Sequence, residues 1–184
     1  MTMNRREALK TTVALGGLLA VSGGILAACE RERPTTATGA LSRRQQDLAE
    51  EIADTILPKT AASPGAREAG AGPAINLLLT DCYEPPAQKR LVDGLEQLRW
   101  RCDQRFEKEF GQLSRKDRED VLRVLTVEAR RDTSDTHWYP LMRELALRSY
   151  FSSQVGMTQS LRYMQVPGKW VGCTPYAAGQ PAWG

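Results

Sequence analysis

The sequence is poor in the residues from which self-sufficient catalysts are built. Its 184 residues hold a single histidine, His137. A zinc centre needs three or four imidazole or thiolate ligands at motif spacing, so this lone histidine beside Trp138 reads as part of a helix start. The run C-x-x-C-H is missing, which excludes attachment of a c-type haem by the usual sequence. Gly65, Gly70 and Gly72 are not preceded by a buried strand and lack dinucleotide-fingerprint spacing, so they read as a loop. Ser152 and Ser153 have no nucleophile elbow around them and no evident base. Paired acids such as Glu50 with Glu51, Glu107 with Glu109, and Glu119 with Asp120 are interleaved with Lys and Arg, the pattern of solvated helix faces. Sustained apolar-polar alternation is also lacking, which argues against strands.

What is present begins with a targeting segment. Arg5 and Arg6 are followed by Leu9 and Lys10, and then by an uncharged stretch up to Ala28, the layout of a twin-arginine export signal. Gly16, Gly17, Gly23 and Gly24 lower the helix propensity and hydrophobicity of that stretch, which favours a signal over a permanent membrane anchor. It closes on Leu26-Ala27-Ala28-Cys29, a lipobox-like end in which the Cys29 thiol would take the lipid. Ordinary cleavage near Ala28 with release of a soluble chain is the alternative. Several acyl chains on one cysteine hold a protein at a membrane where one chain binds only marginally, at about 0.8 kcal/mol per buried methylene. Glu30 in place of aspartate after the cysteine leans toward outer-membrane delivery, and the leaflet stays open.

Residues 1–28 carry two of the three net positive charges in the chain's formal +3. The mature chain is therefore close to neutral and has no electrostatic footprint for nucleic acid. Besides Cys29 it holds Cys82, Cys102 and Cys173, an odd set for an oxidising compartment. Cys102 paired with Cys173 would tie the tail to the longest helix; Cys82 with Cys173, or no bridge, are the rivals.

Residues 29–40 read as a lipid-attached tether and residues 41–164 as a helical domain. Ser42 with Gln45 forms a capping box ahead of Leu48, Ile52 and Ile56, and Pro58 stops that helix. A short apolar helix follows Pro73. Leu91, Leu95, Leu98, Cys102, Phe106 and Phe110 then form one stripe of a long helix that Gly111 ends. Ser114 opens the next helix, with Val121, Leu122 and Leu125 inward, and a last one spans about residues 136–150. The expected fold is all-α, a single small domain of about five helices with an irregular, aromatic-rich tail over residues 165–184.

Three stretches carry a family resemblance: Ile56-Leu57-Pro58-Lys59-Thr60 with Ser63-Pro64-Gly65-Ala66; residues 147–156 (LRSYFSSQVG); and Tyr163 followed by residues 166–173 (VPGKWVGC). In this order, after a twin-arginine start, they resemble the gluconate 2-dehydrogenase subunit 3 family. The resemblance implies a small subunit that accompanies a large flavoprotein of the glucose-methanol-choline class, with FAD in that partner and haem c in a cytochrome c subunit where one is present. It implies neither a substrate nor a catalytic residue in this chain. A free-standing envelope lipoprotein that scaffolds another partner is the competing reading. Small and aromatic residues at Tyr150, Ser153, Gly156, Tyr163, Pro167, Gly168, Trp170, Tyr176 and Trp183 make the expected partner interface, the alternative being that the tail packs over the chain's own helices.

Overall fold

The computed structural model describes residues 39–134, 136–166, 168 and 171–183. Five α-helices occur among them: α1 Arg43–Ile56, α2 Ala71–Cys82, α3 Pro85–Phe106, α4 Arg115–Arg131 and α5 Trp138–Phe151. A 3-10 turn, Phe110–Gln112, lies between α3 and α4, and a π-helical turn, Gly156–Ser160, follows α5. No strand is found among the described residues, so the domain is all-α.

The expected caps are in place. Ser42 Oγ accepts from the Gln45 amide at 3.4 Å while Gln45 Oε1 accepts from the Ser42 amide at 2.9 Å, the reciprocal capping box. Ser114 Oγ likewise accepts from the Asp117 amide at 3.2 Å and starts α4. The chain joins the domain over α2, because Asn76 Oδ1 accepts from the Leu41 amide at 2.9 Å and Thr80 Oγ1 from the Ala40 amide at 2.9 Å. These bonds satisfy backbone donors that burial of Leu41 would otherwise strand.

Helix α5 is the hub, packing against α1, α2, α3 and α4. It buries Trp138, Tyr139, Leu141, Met142, Leu145, Ala146, Ser149 and Tyr150, more than the single face its sequence predicts. A helix covered on several sides needs apolar residues on several sides. Ile52 from α1, Ile75 and Leu79 from α2, Leu91, Leu95 and Leu98 from α3, and Leu125 from α4 complete the core. Each fully buried side chain of this size contributes about 1.5–3 kcal/mol before entropy is counted. At the α3–α5 crossing, Gly94 is required, since a β-carbon there would lie 2.0 Å from the Trp138 ring.

The stripe through Phe106 and Phe110 is not one continuous helix. Helix α3 stops at Phe106 because Glu107 adopts a left-handed conformation at φ 54°, and its amide closes back on the Asp103 carbonyl at 2.9 Å. Phe110 reaches the core from the 3-10 turn instead, fully buried. The second helix also starts ahead of Pro73, at Ala71, after Gly70 at φ 70°; within the first turn a proline forfeits no intrahelical bond.

Among the described residues no helix is long and apolar enough to cross a membrane. Arg5, Arg6 and Cys29, with the proposed signal and tether, lie outside the described residues.

Candidate partner surface at the carboxyl-terminal tail

The tail is mounted on a cluster of hydroxyls at the end of α5. Tyr150 is buried, and its hydroxyl donates to the Pro64 carbonyl at 2.7 Å. Ser63 Oγ stands 2.8 Å and Ser160 Oγ 2.5 Å from the same hydroxyl, and the two serine oxygens are 3.0 Å apart. One tyrosine thus pins the loop after α1 to the π-helical turn after α5. Ser153 Oγ donates to the Tyr150 carbonyl at 2.7 Å and accepts from the Gly156 amide at 2.9 Å. Gly156 is buried and comes so close that a β-carbon would sit 2.0 Å from the Tyr150 carbonyl oxygen, so only glycine fits.

This geometry corrects part of the expected interface. Tyr150 and Gly156 are inside the domain, and Ser153 is half-buried and committed to the turn. They position the tail and do not form a free surface. Ser63 and Ser160 are the members that reading the sequence missed as a unit. They lie 97 positions apart, and no periodicity links a loop serine to a turn serine over that separation.

Beyond the turn the chain runs without regular structure. The Arg162 amide donates to the Ala182 carbonyl at 2.8 Å, and the Arg162 guanidinium lies 4.2 Å over the Trp183 ring, which closes the described tail into a loop. Tyr163, Met164, Val166, Val171, Tyr176 and Trp183 are all exposed, Val166 at 78% and Tyr176 at 69%. Gly168 is exposed at φ 69°, a conformation that suits glycine. Pro167 and Trp170 lie outside the described residues. The tail's exposed aromatics are therefore not spent on the chain's own helices.

The cysteines stay apart. Cys82, Cys102 and Cys173 are free thiols, with Cys102 buried among core residues and Cys173 exposed on the tail. The expected Cys102–Cys173 bridge is not formed, because the core-facing side of α3 that holds Cys102 is closed to the outer, solvated position of Cys173. Burial pushes the Cys102 thiol up from 9.0 to about 11, so it remains protonated at neutral pH.

His137 and Glu51 have structural work. His137 caps α5, its Nδ1 accepting from the Tyr139 amide at 3.1 Å, and its Nε2 lies 3.9 Å from Glu128. Glu51, expected on a solvated face, is half-buried and takes Arg67 at 2.6 Å and Arg118 at 3.0 Å, joining α1 to the following loop and to α4. The Glu51 hydrogen bond is the largest influence raising the Arg67 guanidinium pKa. Among the described residues no three His, Cys, Asp or Glu side chains gather where a metal could be held.

Residues 43–168 match the family described as gluconate 2-dehydrogenase subunit 3, which is more than half of the chain. The chain belongs to that family. The gluconate 2-dehydrogenase subunit 3 match spans α1 to α5, the hydroxyl cluster and the start of the tail. By its description the family is one subunit of a multi-subunit dehydrogenase. No curated protein and no solved structure matches the chain.

Proposed function

We propose that this chain is the non-catalytic small subunit of an envelope, FAD-dependent dehydrogenase of sugars, sugar acids or polyols, and that it assists export, folding and membrane tethering of the flavoprotein subunit. The observation that carries the reading is the concentration of exposed large apolar side chains on the tail of a chain from a dehydrogenase-subunit family. Aromatic side chains left in water on a fixed mount are the usual anchors of a subunit contact. The large subunit, of the glucose-methanol-choline class, would hold the FAD, and a cytochrome c subunit, where present, would hold haem c.

Export through the Arg5-Arg6 signal would carry a folded, flavin-loaded partner bound to this chain, and Cys29 would take the lipid that keeps the complex at the membrane. Replacing Arg5 and Arg6 together with lysine tests the carrier role. Both proteins should then stay in the cytoplasm; arrival of the flavoprotein in the envelope without this chain overturns it. Mass spectrometry of the native complex purified through this chain distinguishes a dehydrogenase subunit from a free-standing scaffold lipoprotein, which would bring down no flavoprotein.

A further inference from the structure

Of the five α-helices among the described residues, α2 alone carries no lysine or arginine. Its single carboxylate is Asp81, in the last turn. The outer side of a helix in water ordinarily carries charged side chains, and α2 departs from that pattern. Its inner side is spent on the core, with Ile75 and Leu79 fully buried and Gly72 and Asn76 buried beside them. The outer stripe is Pro73, Leu77 and Thr80, spaced i, i+4 and i+7, and all three are exposed, Leu77 at 61%.

The chain enters the domain on the same stripe. Thr80 Oγ1 accepts from the Ala40 amide and Asn76 Oδ1 from the Leu41 amide, so the segment arriving from Cys29 is fastened to α2 before α1 begins. Gly39 follows Cys29 by ten positions. Whatever path those residues take, they reach at most about 35 Å. A domain of this size is about 40 Å across, so the way round its surface to the far side is about 60 Å. A lipid on Cys29 therefore keeps the α2 side toward the bilayer, and the far side cannot be turned to it.

We propose that the stripe of Pro73, Leu77 and Thr80 on α2 rests on the lipid bilayer, with Leu77 in the headgroup layer of the leaflet that holds the Cys29 lipid. An apolar helix side sinks about 5–10 Å into the boundary between headgroups and acyl chains. Asp81, exposed one turn beyond Leu77, sets the limit, because a carboxylate stays in water and holds the helix out of the hydrocarbon. With no cation on α2, the contact draws on burial and not on anionic lipid. One exposed leucine binds a bilayer weakly by itself. The anchor turns that contact into an intramolecular one at high effective concentration. The inference rests on the reading of Cys29 as the lipid-bearing residue.

The test places a photo-crosslinking residue at position 77, at position 73 or, as a control on α4, at position 124 of the full-length chain and irradiates native membranes. Positions 73 and 77 should form adducts with phospholipid, and position 124 should form none. The adducts should persist in about 1 M salt, since a contact made without cations is not screened. Radiolabelled palmitate, followed in the same cells, separates the two readings. If Cys29 takes up palmitate but neither 73 nor 77 labels lipid, reacting with a protein subunit, with a second copy of this chain or with nothing, the α2 proposal is wrong and the anchor stands. Equal lipid labelling at position 124, or loss of the adducts in salt, overturns it as well. If Cys29 takes up no palmitate, the anchor reading fails and the proposal falls with it.

Discussion

The helical domain and the tail use the same kinds of apolar side chain to opposite ends. Within α1 to α5 they recur at helical spacing, and Ile52, Ile75, Leu91 and Met142 are wholly buried. Past the π-helical turn, Val166, Tyr176 and Trp183 follow no period and stand at least half exposed. Hydrophobicity alone therefore does not bury a residue. A side chain is buried when a regular backbone can place several of its kind on one face at once, and prolines and glycines deny the tail that backbone.

The contrast is broken most severely from the domain side. Phe110 enters the core from a 3-10 turn rather than from a helix, so Phe110→Ala removes a fully buried ring and leaves its site in the core empty. A loss of about 3–5 kcal/mol is expected, read as a lower denaturant midpoint with an unchanged slope. A loss below about 1 kcal/mol would mean that the turn collapses onto the cavity.

Alkaline titration probes the core at Cys102. Its folded-state pKa is raised from 9.0 to about 11, so above pH 9.0 the unfolded chain releases a proton that the folded chain keeps. Stability present below pH 9.0 is accordingly lost as pH rises toward about 11. Cys102→Ala should flatten that part of the decline relative to the parent chain, measured by urea unfolding at several pH values. Identical slopes would place the thiol in contact with water.

The boundary between the two regions is sharpened by Tyr150→Phe. The substitution keeps the ring and removes the hydroxyl shared by Pro64, Ser63 and Ser160, at an expected cost of about 1–2 kcal/mol. Limited proteolysis should then cut the chain beyond residue 160 faster, with the helices still protected. Unchanged cleavage would show that the tail is not held through this cluster.

The smallest effect on the isolated chain is expected in the tail itself. Trp183→Ala loses a stacking contact with Arg162 on an exposed ring and should alter stability by less than about 0.5 kcal/mol. Partner affinity is the contrasting readout, with a drop of about 2 kcal/mol or more under the proposed interface. The opposite pattern, a destabilised chain with intact affinity, would return Trp183 to the domain.

The sequence by itself determined the all-α class, the capped starts of α1 and α4, the core stripe of α3 as far as Cys102, and the family. These rest on local signals, namely residues three or four apart and side chains that bond to amides within their own turn. Tertiary structure alone decided that Tyr150 and Gly156 lie inside and that Glu51 joins two arginines. Periodicity says which side of a helix is apolar but not how many neighbours cover it. A left-handed Glu107 carries no glycine to announce it, and the bonds from Tyr150 to Ser63 and Ser160 join residues that only the packed helices bring together.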